Sequence, residues 1–191
     1  LGEEGLASGV NITISPWKKI SLDAFPPSAK ASGQYMNSML AVQDARKKGY
    51  DEALLLNQDG HIAEGSGQNI FIVKNEKVFT NDENASILMG ITRDSVIKLC
   101  KDLNKEIEIT NITKEMLMDA DEVFFTGSAT EITPVATIDK TPVGDGKPGA
   151  LKLELKNIYL KIVHGKEPQY RNWLTFINAN IKSSETVLQN H

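Results

Sequence analysis

Lys30 is the residue whose surroundings point most directly to covalent chemistry. Alanine, serine and glycine occupy the positions around it, within the segment SAKASGQY at residues 28–35. An amine attacks a carbonyl carbon after it has lost its proton, which burial or a nearby positive charge favours. Small neighbours also let a flat molecule approach the backbone closely. Lys30 is therefore a candidate nucleophile, although a lysine before a helix is more often exposed to solvent.

Two further side chains offer acid–base chemistry. Tyr35 begins the helix predicted after Lys30, where its phenol can donate a hydrogen bond or its ring can fill the core. Glu64 ends a predicted strand immediately before a Gly-Ser-Gly turn. A carboxylate placed there can hold a proton on a ring nitrogen, or it can lie on the surface of an ordinary turn.

Two backbone segments are suited to binding anions. The segment GITR leads directly into a predicted helix, so the amides of Ile91 and Thr92 point outward at its positive end. Phosphate is favoured at such a position, although the same residues cap any ordinary helix. Ser128 follows a buried strand and can add a hydroxyl to that phosphate. The amides of Ala129 and Thr130 can receive a substrate carboxylate.

In chain order, these groups meet the requirements of pyridoxal 5'-phosphate. That cofactor needs an amine for its aldehyde, an anion for its ring nitrogen, a donor near its phenolic oxygen and several donors for its phosphate. Each group alone is a weak signal, and their combination predicts the cofactor. Other chemistries fit poorly, because the three histidines lack zinc-ligand spacing and no Walker motif or serine-hydrolase motif occurs. No metal is expected.

Bulk properties predict one globular domain. The 191 residues are 40% apolar and 24% charged, and the net charge of −4 is scattered, with no basic stripe for nucleic acid or an anionic membrane. The single cysteine, Cys100, cannot form an internal disulfide, and we expect it to pack in a helix in a reducing compartment. No apolar run is long enough to cross a bilayer, and no secretory leader is visible, so the cytoplasm is the expected location.

Periodicity predicts the elements that position these groups. Residues 34–48 have helical spacing, with Met36 and Met39 on the face expected to pack in the core. Pro134 is expected to interrupt a strand over residues 132–138. The remaining predictions are strands at 10–14, 52–56, 62–64, 70–73, 78–80, 106–110 and 123–125, and helices at 92–103, after Thr113, and at 150–163.

Five segments in the same order resemble the class IV, fold-type IV pyridoxal-phosphate-dependent aminotransferases, and most of all the branched-chain amino-acid aminotransferases. The likeness extends over roughly residues 10–163, and five coincident segments are far more specific than any single one. The segments are residues 30–35, GYDEALLL at 49–56, EGSGQNIF at 64–71, GITR at 90–93 and DEVFFTGSATEITPV at 121–135.

The resemblance implies an α+β fold, with a mixed, mostly antiparallel β pseudo-barrel flanked by helices, as in the large domain of this family. It also implies that Lys30 is the catalytic lysine that bonds to the cofactor. Tyr35 then lies at the phenolic oxygen, and Glu64 pairs with the ring nitrogen. Leu88 corresponds to a residue that packs against the ring.

For the anionic groups, the resemblance implies two binding sites. The amides of Ile91 and Thr92, with the hydroxyl of Ser128, correspond to the phosphate site. Ala129 and Thr130 correspond to the pair whose amides bind the substrate carboxylate.

Three positions depart from the family pattern. Gln34 stands where the family usually has Asn, Ser128 replaces Thr, and Thr130 replaces a second small Ala. The first two keep their hydrogen-bonding capacity, while the third adds bulk beside the substrate. We expect altered affinity and not lost chemistry.

The resemblance also implies a domain organisation. Residues 1–191 are expected to form the cofactor-binding large domain, with 1–30 as the interdomain connector and first strand and 164–191 as a tail. Family members carry a smaller N-terminal domain that supplies a phosphate-binding arginine. Because Lys30 lies so close to Leu1, that domain is expected to be absent from this chain.

The implied activity is transamination of leucine, isoleucine or valine with 2-oxoglutarate, in a homodimer. A D-amino-acid transaminase or an aminodeoxychorismate lyase of the same fold is an alternative within the family. A third possibility, from a different class, is an inactive folding or dimerisation module, because this chain would lack half of its pocket.

Overall fold

The computed structural model describes residues 8–177 of the chain. The chain divides into two compact units, Leu1–Lys156 and Asn157–His191. The first contains the sheet and every candidate site residue. In the described part of the second, the rings of Tyr170 and Trp173 lie 4.7 Å apart and Arg171 stacks over Phe176.

Nine strands of the first unit form a single curled sheet. Its order is β3-β2-β1-β8-β7-β4-β5-β6, with β9 paired to β8. Five of the eight strand pairs are antiparallel, which confirms the mixed, mostly antiparallel α+β fold. The strands are β1 Val10–Lys18, β2 Glu52–Leu56, β3 Ile62–Gly65, β4 Asn69–Lys74, β5 Lys77–Thr80, β6 Ile107–Ile109, β7 Glu122–Gly127, β8 Glu131–Ile138 and β9 Thr141–Pro142.

β1 joins the two halves of the sheet. It pairs in parallel with β2, with Ile12 opposite Glu52, and in parallel with β8, with Val10 opposite Val135. Val10 and Ile12 of β1, all four apolar residues of β2 and Val135 of β8 are buried, whereas Trp17 near the end of β1 is 45% exposed. The alternation that predicted a strand at residues 10–14 therefore marks the centre of the sheet.

β8 runs without a break through Pro134, so the predicted interruption is wrong. Pro134 lies opposite Phe124 of β7. The ladder to β1 begins at Val135, the next residue, so the position without an N–H donor falls at the end of that ladder.

Between residues 10 and 177, the α-helices are α1 Tyr35–Lys47, α2 Ile91–Asp102, α3 Lys114–Met118 and α4 Ala150–Val163. The Thr113 hydroxyl caps α3 by accepting from the Met116 amide, as the sequence predicts. Cys100 on α2 is buried, and burial raises the pKa of its thiol to about 11. This residue has the predicted packing role, because a thiol that holds its proton is a poor nucleophile.

α1 packs on the sheet with the opposite face from the one predicted. Its buried residues are the small Ser38, Ala41 and Ala45, which allow a close approach to β1 and β2. Met36 and Met39 are 69% and 55% exposed, so the prediction that they pack in the core is wrong. Small residues set the helix-to-sheet contact, and the larger apolar residues therefore point away from it.

Within residues 8–177, no helix combines the length and apolar character needed to cross a membrane.

Candidate active site

A cavity of about 500 Å³ opens at one end of the sheet of the first unit. Its walls come from the end of β1, the loop before α1, the turn after β3, the start of α2 and the end of β7. Eight predicted site residues line it: Lys30, Tyr35, Glu64, Leu88, Ile91, Thr92, Ser128 and Ala129. Thr130 is not among the described lining residues.

Lys30 is presented to the cavity by an unusual loop. Short 3-10 helices, Pro27–Ala29 and Ser32–Gln34, flank it, and its own backbone is left-handed, with φ of 46°. This conformation is uncommon for a residue with a side chain. The Gln34 side chain stabilises the loop by donating a 2.8 Å hydrogen bond to the Pro26 carbonyl. Within the described residues, the Lys30 amine has no hydrogen-bond or ion-pair partner.

Glu64 is buried, and its two oxygens face different partners. Oε1 lies 2.7 Å from the Lys19 ammonium, whereas Oε2 accepts from the Asn69 side chain at 3.2 Å and from the Leu88 amide at 3.1 Å. Burial raises the pKa of Glu64, and the charge of Lys19 acts in the opposite direction. Three donors fix the carboxylate, and its remaining acceptor capacity is available to a group in the cavity.

Lys19 is a cavity residue that sequence reasoning missed. It directly follows Lys18 in the chain, and such a pair is typical of a solvated surface. In the structure Lys18 is exposed, whereas Lys19 is 7% exposed. Period-two alternation continued from Ile12 and Ile14 would turn Lys18 inward and Lys19 outward. The register of β1 against β2 shifts between Ile14 and Lys18, so no local signal indicated the position of Lys19.

Asn69 links Glu64 to the loop before α2. Its amide group donates both to Glu64 and, at 2.7 Å, to the Leu88 carbonyl. Gly90 packs so tightly against Asn69 that any β-carbon would overlap the Asn69 Oδ1 atom. The glycine of the GITR segment is therefore required by packing against the site.

The turn after β3 is held by a second buried carboxylate. Glu52 accepts from the Ser66 amide and hydroxyl, from the Gln68 side chain at 2.9 Å, and from the Ala53 amide at 2.7 Å. These contacts fix the turn that directly follows β3, the strand that carries Glu64. The sequence contains Glu52 within an apolar strand, but its side-chain partners depend on the fold.

The start of α2 faces the cavity as predicted. Gly90 precedes the helix with extended backbone, and Ile91 and Thr92 begin it, so their N–H groups have no intrahelical acceptor. The next residue, Arg93, turns away from the cavity and donates to the Asn81 carbonyl. Its burial lowers the pKa of the guanidinium.

The segment after β7 contributes two residues to the cavity wall and one residue to the hydrogen bonds of the turn. Ser128 and Ala129 are exposed at the cavity wall. The Thr130 amide donates to the Gly127 carbonyl at 3.3 Å, and the Thr130 carbonyl accepts from the Thr133 hydroxyl. Thr130 therefore supports the turn, and its predicted contact with a substrate carboxylate stays a prediction.

Two buried polar atoms in lining residues have no partner among the described residues. They are the hydroxyl oxygen of Thr126 and the side-chain oxygen of Gln68. Burying such atoms without a hydrogen bond is costly, so cavities that contain them usually bind water or a polar ligand.

Comparison with known proteins identifies the family. A probable branched-chain-amino-acid aminotransferase of Aquifex aeolicus is 45% identical over 170 residues, covering 88% of this chain and 55% of the relative. The enzyme of Salmonella typhimurium is 38% identical over 179 residues, 94% of this chain and 58% of the relative. The chain thus spans little more than half the length of these relatives.

Solved structures give the same result. A T.th. branched-chain amino acid aminotransferase, solved with pyridoxamine 5'-phosphate, has a TM-score of 0.89 and 44% identity, covering 93% of this chain and 58% of that one. The Escherichia coli enzyme has a TM-score of 0.90 and 38% identity, covering 93% and 59%. The amino-transferase class IV family model matches residues 3–138. This protein belongs to the class IV aminotransferases.

Proposed function

We propose that the protein transfers the amino group of branched-chain L-amino acids to 2-oxoglutarate, with pyridoxal 5'-phosphate bound in the cavity of the first unit. The observation that carries this proposal is that Lys30 and Glu64 line one cavity together with the start of α2. A reactive amine, a buried carboxylate and a helix N-terminus are the three groups that the cofactor requires.

The chemistry of the cavity fits this cofactor. Gly67 and Gly127 at the wall leave room for a flat ring. The cofactor, when bound, supplies an aldehyde and an electron-withdrawing pyridine ring for amino-group transfer. No basic side chain lines the cavity beside α2 among the described residues, so its amides carry the phosphate contact on this chain.

Each residue then has one role. Lys30 bonds to the cofactor at rest, and its Nζ atom moves a proton from the α-carbon of the bound amino acid during transfer. Glu64 holds a proton on the ring nitrogen, and the Tyr35 hydroxyl donates to the phenolic oxygen. Leu88 packs against the ring.

The anionic groups are bound by backbone and hydroxyl donors. The amides of Ile91 and Thr92, with the Ser128 hydroxyl, bind the phosphate. The amides of Ala129 and Thr130 receive the substrate carboxylate, which requires the Thr130 amide to leave the Gly127 carbonyl. Similarity to enzymes named for branched-chain amino acids supports the choice of substrate.

The decisive experiment locates the reactive lysine. The chain is mixed with pyridoxal 5'-phosphate, reduced with borohydride, and digested for mass spectrometry. We expect the label on Lys30, its loss in Lys30→Ala, and its retention in Lys48→Ala, which removes an exposed lysine. A label spread over surface lysines would contradict the proposal and support the inactive folding or dimerisation module.

Substrate class is tested by steady-state assay of L-leucine against D-alanine. Faster turnover of leucine is expected. Preference for D-alanine would indicate a D-amino-acid transaminase, and release of product without an amino acceptor would indicate a lyase. Full turnover in Lys30→Ala would defeat the catalytic assignment.

We also propose a homodimer in the cytoplasm and assign residues 1–191 to the cofactor-binding domain, with 1–30 as connector and 164–191 as tail. The apolar face of α1 supports a partner, because Met36, Met39 and Leu40 are all at least 45% exposed. Sedimentation velocity is expected to give a dimer that Met39→Lys weakens.

A further inference from the structure

We propose that Lys19 is the positioning residue of the ring-nitrogen site: its ammonium keeps the Glu64 carboxylate ionised and aimed into the cavity. This inference rests on the proposed function, since it concerns the group that Glu64 would meet. Neither the sequence motifs nor the resemblance assigned any role to Lys19.

The geometry of the pair supports this role. The Lys19 Nζ atom lies 2.7 Å from Glu64 Oε1, and both side chains are 8% exposed. Both residues line the cavity. A carboxylate accepts about four hydrogen bonds, and Lys19, Asn69 and Leu88 supply three donors from the protein side. The unused capacity is thus left for a donor in the cavity.

Lys19 itself is fixed by the backbone. Its amide donates to the Leu56 carbonyl at 2.8 Å, and its carbonyl accepts from the Gln58 side chain at 2.7 Å. The end of β1 is thereby fastened to β2. The ammonium is held in place by the same sheet that positions the carboxylate.

The two lysines that line the cavity, Lys19 and Lys30, have different roles. The Lys19 ammonium offsets part of the cost of burying the Glu64 charge. Lys30 is unsuited to that role, since its amine must give up its proton and its freedom for covalent chemistry. Lys19, paired with Glu64, provides a charge that does not take part in the reaction.

Charges around Glu64 allow a clean test. Lys19 and Lys30 are the charged groups that act on it, and both lower its pKa, whereas burial raises it. Removing Lys19 leaves burial opposed by Lys30 and by the hydrogen bond from Leu88. Glu64 should then hold its proton more tightly in the cofactor-free protein.

The experiment is a titration of the cofactor-free chain, followed by carbon-13 NMR of labelled glutamate carboxyls, with Glu64→Gln identifying the Glu64 signal. We expect Lys19→Met to increase the proton affinity of Glu64 about tenfold or more. Lys19→Arg should restore the parent titration. Lys18→Met, which removes the neighbouring exposed lysine, is the matched control and should leave it unchanged. Should Lys19→Met not fold, Lys19→Gln keeps a donor without the charge and carries the same expectation.

An unchanged Glu64 titration in Lys19→Met or Lys19→Gln would overturn the proposal, because an ammonium that keeps the carboxylate ionised must lower its proton affinity. The labelling experiment on Lys30 is independent of this result. Absence of label on Lys30 would defeat the proposed function, whereas label on Lys30 together with an unmoved titration would defeat the role of Lys19 alone.

Discussion

Two buried carboxylates lie on either side of the turn after β3, and the protein stabilises them in different ways. Glu52 is 5% exposed and accepts hydrogen bonds from neutral donors of the turn and its own strand. Glu64 is 6% exposed, and its partners include the Lys19 ammonium. Glu64 lines the cavity, while Glu52 is not among its described lining residues.

The difference distinguishes a carboxylate that holds the turn from one that faces the cavity. The acceptor capacity of Glu52 is filled by donors that belong to the fold, so no further ligand is needed. Glu64 is left with spare capacity and a balanced charge, which suits a group that meets a ligand. Burial alone would not have distinguished them.

The largest effect is expected for Glu52→Ala, which leaves several buried donors without an acceptor. We expect a loss of about 3 kcal/mol or more in the free energy of unfolding, measured by urea denaturation. Glu52→Gln keeps the volume and one acceptor oxygen, so it should cost less. A loss below about 1 kcal/mol for both variants would remove Glu52 from its structural role.

An intermediate effect, dependent on pH, is expected for Glu64→Gln. The pKa of Glu64 is raised in the folded chain, from an ordinary value of 4.5, so folding favours its protonated form. The contribution of this group to stability therefore falls as pH rises from about 4.5 toward the raised value.

Urea denaturation of the parent and of Glu64→Gln at a series of pH values checks this expectation. The parent should lose stability relative to the variant across that window, by about 1.4 kcal/mol for each tenfold difference in proton affinity. A stability difference that stays constant with pH would show that Glu64 titrates alike in the folded and unfolded chains.

The smallest effect is expected for Ser66→Ala. The hydroxyl of Ser66 gives Glu52 one of its hydrogen bonds, at 2.9 Å, while the Ser66 amide remains as a second donor. Losing one such bond should cost about 1 kcal/mol in urea denaturation. In the Glu52→Ala background the same substitution should cost nothing, and an equal cost in both backgrounds would contradict the contact.

The sequence allowed the elements and most of the cavity to be predicted, because both depend on local signals. Period-two alternation marked β1, and the Gly-Ile-Thr start marked α2. The roles assigned to the lining residues remain predictions, since the structure shows only where these residues lie.

What could not be predicted depended on long-range packing. Met36 and Met39 have helical spacing, but this spacing does not say which face of the helix is covered. In the structure, the sheet packs against the face of α1 that carries its small residues. Lys18 and Lys19 are adjacent in the sequence, yet Lys18 is exposed and Lys19 is buried. The pairing of Lys19 with Glu64 follows from the positions of β1 and β3 on either side of β2.

The parallel pairing of β1 with β8 also affects when the cavity forms. Val10 lies opposite Val135, so β1 finds one of its partners only after β8 has been made. Contacts between such distant segments form slowly, because a long loop must close first. During synthesis, Lys30 and Glu64 are made before the cavity-wall residues Ser128 and Ala129 and before β8. A chain that stops before β8 would leave the edge of β1 that pairs with β8 open to aggregation.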